Sequence, residues 1–234
     1  MPQHLVAVLF DLDGTLLDHE AATVAALRAW LPSYGLRPDE IEAVIPVWLD
    51  LEERHYPAWR AGQISFQEQR RRRIADFLPV MGRTVQADRL DAVFAEYLVR
   101  YEAAWAAFDD AAPALRRIAA AGLQVAVLTN GDQAQQTAKL AATRLLDLCG
   151  PVFASSQLPA AKPDRRAYIE ACRRLHADPG QTLMVGDNYD LDVLAARAAG
   201  LSAVHLDRSA DRTEPPSDRI TTLHDLLTWH QVTQ

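Results

Sequence analysis

Residues 4–17 read HLVAVLFDLDGTLL. The run 4–10 is almost wholly apolar and lacks the alternation of a strand with one wet face. It predicts a strand buried on both sides, as in a parallel sheet. Directly behind it stand two carboxylates, Asp11 and Asp13, then Gly14 and Thr15. Ligands of open α/β sheets collect at the carboxyl ends of the strands, so an acidic turn at this place is a candidate site as well as a loop.

Beyond residue 17 the periodicity switches. Helices are predicted over 21–31, 39–54, 66–78 and 88–107, with Pro and Gly breaks at 32–35, 57–62 and 79–82. From residue 113 helices at 113–121, 133–146, 164–175, 191–199 and 220–229 alternate with strands at 123–128, 152–154, 182–185 and 202–206. Such alternation builds right-handed βαβ units and an open parallel sheet. The expectation is an α/β core made of 1–17 and 108–234, with an all-helical domain inserted at 18–107.

The 234 residues carry a formal charge of −7, with 49% hydrophobic and 24% charged residues. This composition excludes disordered, collagen-like and coiled-coil chains. Its acidity speaks against a nucleic-acid polymer or an anionic membrane as partner and leaves small phosphate ligands open. Two cysteines, Cys149 and Cys172, make no disulfide scaffold. With no basic, apolar leader and no run of about 18 apolar residues, a soluble cytoplasmic protein is expected. Of the 24 Lys and Arg residues only two are lysines, Lys139 and Lys162. An ammonium and a guanidinium are not interchangeable at a crowded site, so each lysine in such a chain warrants inspection.

The ends of the later strands carry further polar groups. Thr129-Asn130-Gly131-Asp132 follows one, Lys162-Pro163-Asp164 ends the loop after the next, and Gly186-Asp187-Asn188-Tyr189-Asp190-Leu191-Asp192 follows a third. Asp11, Asp13, Asp187 and Asp192 on one sheet edge would repel and shift each other's pKa values. A hard divalent cation is the natural compensation, and Mg²⁺ takes one or two carboxylates plus substrate phosphate and water. Lys162 adds positive charge and Thr129 a hydroxyl donor, which together describe a phosphoryl-binding site. An EF-hand reading fails at both acidic turns, because neither has Gly at the sixth loop position.

DLDGT at 11–15, the helical insert, LTN at 128–130, KP at 162–163 and GDNYDLD at 186–192 resemble, in order and spacing, the haloacid dehalogenase (HAD) superfamily. The similarity is to the branch whose helical cap follows the first strand, and it spans the whole chain. It implies a Rossmann-like parallel sheet flanked by helices, with an inserted all-helical cap domain. It implies Asp11 as the nucleophile forming an aspartyl-phosphate and Asp13 as general acid and then base. Thr129, Asn130 and Lys162 are implied in substrate binding, and Thr129 and Lys162 also in catalysis. Asp11, Asp13 (through its carbonyl), Asp187 and Asp192 are implied as the Mg²⁺ site. The dehalogenases of the family lack an acid at the position of Asp13, so the resemblance favours a phosphatase acting on a small-molecule phosphomonoester. A phosphomutase and a catalytically idle phosphate-binding protein of the same fold remain as alternatives.

In the insert, Trp48, His55, Tyr56, Trp59 and Arg60 are expected chiefly as helix packing, with substrate contact the second reading. Arg70 to Arg73 point around a helix, so a solvated face paired with Glu52, Glu53 or Glu68 is expected. Cys172 and His176 have metal-ligand spacing, but two ligands alone favour a structural role. Tyr189 is expected at the rim of the site.

Overall fold

The computed structural model describes residues 5–209 and 219–226. Six parallel strands form one sheet: β1 (Ala7–Phe10), β2 (Gln124–Thr129), β3 (Val152–Ala154), β4 (Thr182–Gly186), β5 (Ser202–Leu206) and β6 (Arg219–Ile220), in the order β3-β2-β1-β4-β5-β6. The chain winds outward from β1 through β2 to β3, then returns to the other side of β1 with β4. That reversal places the topological switch point between the carboxyl ends of β1 and β4, the position where open α/β sheets bind ligands.

The uninterrupted apolar pattern of β1 is explained by two cores, one on each face of the sheet. Val8 and Phe10 join Val125, Val127, Leu183, Val185, Val204 and Leu206 on one face. Ala7 and Leu9 join Ala126, Leu128, Met184 and Ala203 on the other. The first face is covered by α5 (Ala111–Ala120), through Ala111, Ala114, Leu115 and Ile118, and by α6 (Gln133–Ala142), through Leu140. The second is covered by α7 (Arg165–Arg174), through Ala167, Tyr168, Ala171 and Cys172, and by α8 (Ala195–Ala198), through Ala196. Cys172 is therefore a packing residue, and no cation cluster among the described residues includes it or His176.

The chain divides into two compact units, Met1–Asp18 with Ala106–Gln234, and His19–Trp105. The second is all helical: α1 (His19–Trp30), α2 (Pro38–Arg60), α3 (Phe66–Phe77) and α4 (Leu90–Ala103). Its core is aromatic, with Trp30, Trp48, Phe77, Phe94 and Tyr97 in mutual ring contact. Trp48 is fully buried there, as its helical spacing suggested.

Several local expectations are corrected. The helix expected to stop at 54 runs through Pro57 to Arg60. Arg71 and Arg72 form exposed pairs with Asp91 and Glu68. Arg73, by contrast, is buried over the Trp48 ring at 4.2 Å and pairs with Glu52 at 2.6 Å. An arginine stem packs well on aromatics once its charge is matched, which an even reading of four arginines misses. The helix expected over 191–199 opens as a π-helical turn, Tyr189–Leu194. The helix expected over 220–229 is instead the edge strand β6 and a 3₁₀ turn, Leu223–Asp225, with 227–229 outside the described residues. The start of the first strand at residue 4 also lies outside them.

Asp110, just ahead of α5, fastens this last segment. Its carboxylate accepts from both terminal nitrogens of Arg208 (2.8 and 3.0 Å), from the Thr222 hydroxyl (2.8 Å) and from the Leu223 N–H (2.9 Å). Arg208 also donates to the carbonyl of Thr15 at 2.8 Å. Burial alone would raise the Asp110 carboxyl, but the bonds from Arg208, Leu223 and Thr222 outweigh it and hold it below the usual range. Asp110→Ala should lower stability by ~2 kcal/mol, read as about 4–8 °C in thermal melts. Because the folded pKa lies below the unfolded one, this contribution is present above about pH 4 and is lost as the pH falls through the folded value. The melting difference between the two proteins should therefore shrink in acid.

Candidate active site

The turn behind β1 is held by its leucines. Leu12, Leu16 and Leu17 are buried, and the carbonyl of Leu12 accepts from the N–H groups of Thr15, Leu16 and Leu17. Between these anchors the backbone must turn left-handed at Gly14, with φ of 84°. A side chain there would also collide with Asp187, whose Oδ2 lies 2.3 Å from where a Cβ would stand. Gly14 thus lets the β1 and β4 loops approach until the Thr15 hydroxyl donates to Asp187 Oδ1 (3.0 Å) and accepts the Asp187 N–H (3.1 Å).

One oxygen each from Asp11, Asp187 and Asp192 lies within 4.8 Å of the others. The Lys162 ammonium, 2% exposed, donates to Asp11 Oδ1 at 2.8 Å and to Asp192 Oδ1 at 2.6 Å. The other Asp192 oxygen accepts the Asn188 N–H at 3.1 Å. Burial pushes Asp11 up to about 8, opposed by Lys162 and aided by Asp192 and Asp187. Burial and the Asp192 charge push Asp187 up to about 6. Burial alone would lower Lys162, but Asp11 and Asp192 outweigh it and raise it. Three carboxylates with one ammonium leave excess negative charge, and every donor is a hard oxygen. This set fits a hard divalent cation.

Asn130 is committed to the Lys162 main chain, with its Oδ1 accepting the Lys162 N–H (2.8 Å) and its Nδ2 donating to the Lys162 carbonyl (2.9 Å). It thereby fixes the loop that delivers the ammonium. Thr129 closes β2, and its hydroxyl accepts from Gln136 Nε2 at 2.7 Å. Tyr189 lies edge-on to His205, their ring centroids 5.5 Å apart.

Asp13 stands apart from the three-carboxylate cluster. Both of its oxygens accept from Lys139 Nζ at 2.7 Å, and Oδ2 also accepts from Gln136 Nε2 at 3.1 Å. Sequence reasoning did not place Gln136 or Lys139 at the site. The scarcity of lysine was the one signal that pointed to Lys139, and both lysines of the chain prove to be buried against these aspartates.

Residues 5–200 match the haloacid dehalogenase-like hydrolase family. The chain belongs to that family. It is 30% identical over 217 residues to a phosphoglycolate phosphatase of Caulobacter vibrioides, covering 91% of this chain and 83% of that one. Its fold is similar to that of the HAD-hydrolase YfnB from Bacillus subtilis, solved bound to magnesium, with a TM-score of 0.78, 20% identity, and coverage of 99% and 100% of the two chains. It is equally similar to L-2-haloacid dehalogenase from Xanthobacter autotrophicus with chloropropionic acid covalently bound, with a TM-score of 0.78, 22% identity, and coverage of 98% and 100%. The chain is thus an enzyme of the hydrolase class. Among the described residues no helix is long and apolar enough to cross a membrane.

The raised Asp11 pKa carries a stability signature. A carboxyl whose folded pKa lies above its unfolded value adds stability below about pH 4, and that stability is lost as the pH rises towards the folded value. In EDTA, Asp11→Asn should therefore become more stable than the parent as the pH rises from about 4 to 8. A gap of ~1 kcal/mol would appear as about 2–4 °C in melting temperature. A constant gap across that range would contradict the burial of an ionised Asp11.

Proposed function

We propose that the protein is a Mg²⁺-dependent phosphatase that hydrolyses small phosphomonoesters through an aspartyl-phosphate on Asp11. The observation that carries this reading is the pair of carboxylates behind β1, each held on its own lysine, beside a cluster suited to a hard cation. Displacing a halide needs no proton donor, whereas an alkoxide leaves only when protonated. Asp13 is a second carboxyl placed to supply that proton, which favours ester hydrolysis over dehalogenation.

Asp11, Asp187 and Asp192, with the carbonyl of Asp13, would hold Mg²⁺. When bound, the ion neutralises negative charge on the phosphoryl oxygens and on the carboxylates. Lys162 occupies Asp11 Oδ1 and holds that carboxylate in place. An Asp11 oxygen attacks phosphorus as the bond from phosphorus to the substrate oxygen breaks, and Asp13 gives its proton to the departing alkoxide. Asp13, now ionised, then takes a proton from water. The resulting hydroxide attacks phosphorus, breaks the bond to Asp11 and releases inorganic phosphate, leaving Asp13 protonated for the next ester. Thr129 and Lys162 offer donors to the phosphoryl oxygens throughout, so positioning and charge balance supply most of the catalysis.

The test is release of phosphate from p-nitrophenyl phosphate and from a panel of metabolite phosphomonoesters. Hydrolysis should require Mg²⁺, stop in EDTA and be abolished in Asp11→Asn. Asp13→Asn should fall by about 10²- to 10⁴-fold while still binding inorganic phosphate. Retained turnover in Asp11→Asn would exclude the covalent route. Halide release from a haloacid, with no phosphate released from any ester, would replace the phosphatase reading with a dehalogenase one.

A further inference from the structure

Gln136 and Lys139 lie three residues apart on α6 and so project from one side of it. Both are almost fully buried, at 1% and 4% exposure, although neither is an apolar residue. Long polar side chains lose much rotamer freedom on burial, so two of them ordered on one helix face must serve specific partners. Their partner is Asp13, which receives three bonds from them.

The bonding pattern fixes more than the place of Asp13. The amide nitrogen of Gln136, which can only donate, lies 3.1 Å from Asp13 Oδ2. That same nitrogen lies 2.7 Å from Thr129 Oγ1, which is therefore an acceptor in this contact. The Thr129 hydroxyl then keeps its own proton to donate in another direction. One helix turn thus sets the orientation of Asp13 and of the Thr129 donor together.

We propose that Lys139 and Gln136 form a positioning clamp. It holds the Asp13 carboxyl where it meets the leaving-group oxygen and turns the Thr129 hydroxyl proton outward to the phosphoryl group. This rests on the phosphatase reading above and adds two positioning residues to it. Neither touches the reacting atoms, and both act through Asp13 and Thr129. The consequence is selective. A group that aims the proton donor matters most when the leaving group is a poor one, such as an alkoxide, and least when it is a stabilised phenolate.

The experiment compares Lys139→Met and Gln136→Met with the parent on an alkyl phosphomonoester, glycerol phosphate, and on p-nitrophenyl phosphate, both with Mg²⁺. The quantity to read is kcat/KM, which covers the steps up to departure of the leaving group. Lys139→Met should lose at least about tenfold more on the alkyl ester than on the aryl ester, while its affinity for inorganic phosphate changes by less than about threefold. Gln136→Met should show the same bias together with weaker phosphate binding, because it also releases Thr129. Equal losses on the two esters, the signature of a merely structural role, would overturn the clamp, as would no loss on either. If the parent hydrolyses neither of these esters nor any member of the metabolite panel, the phosphatase reading falls. The clamp is then decided by the crystal structure of Lys139→Met: a displaced Asp13 carboxylate supports it, and an unmoved one overturns it.

Discussion

The Lys162 ammonium sits between the carboxylates of Asp11 and Asp192, and its charge is what allows the ends of β1 and β4 to lie side by side. Two unit charges about 5 Å apart repel by about 3 kcal/mol at an effective dielectric near 20. Three carboxylates within 4.8 Å of one another make three such pairs. Their sum is comparable with the whole net stability of a typical domain, about 5–15 kcal/mol. Without a cation inside the cluster the site would force open the sheet edge or stay protonated. Burial is the largest cause of the raised Asp11 and Asp187 values, and repulsion from the neighbouring carboxylates adds to it.

The sheet order determines which residues share that ammonium. Because β4 returns to the free side of β1, the loops after these two strands are neighbours although their residues are far apart in the chain. Lys162 enters from the connection between β3 and β4, held by Asn130 from the end of β2. Four connections thus contribute to one small volume, each anchored by a different buried strand or helix. Arg208, bridging Asp110 and the Thr15 carbonyl, ties the β5 side of the sheet into the turn that carries the aspartates.

Much of this was legible because it depends on local pattern. An apolar run ending in Asp11, Leu12 and Asp13 specifies a buried strand and a polar strand end with no tertiary knowledge, and the same holds for the stretches before Thr129 and Asp187. What was not legible depends on which side of a helix meets which strand end. Nothing in the helical pattern marks Gln136, and only the scarcity of lysine marks Lys139, since polar positions on a helix carry no sign of a distant carboxylate. The pairing of Arg73 with Glu52 was among the expected ones, but its burial was not, because the Trp48 ring that covers it lies on another helix. The edge strand at Arg219–Ile220 is only two residues long, too short to show any periodicity, and its place comes from pairing with β5.

The use of lysine at both cation positions beside the site aspartates follows from donor arithmetic. A guanidinium carries five N–H groups in a fixed plane, and in a pocket a few per cent exposed each unmet donor costs about 1–3 kcal/mol. An ammonium carries three donors that rotate to suit. At Lys162 two of them are taken by Asp11 and Asp192, and at Lys139 the bonds to Asp13 converge on one carboxylate. Elsewhere an Arg fork reaches solvent, as that of Arg71 does with exposed Asp91, whereas Arg73 lies buried over Trp48 with its charge matched by Glu52 and its Nε without a partner. The split also assigns the two carboxylates behind β1 to different cations on different connections. Asp11 and Asp13 are two residues apart in sequence, yet each is held from a separate direction. Two neighbouring carboxyls can then differ in environment, one facing the cation cluster and the other facing α6, and that difference is what separate roles in catalysis require.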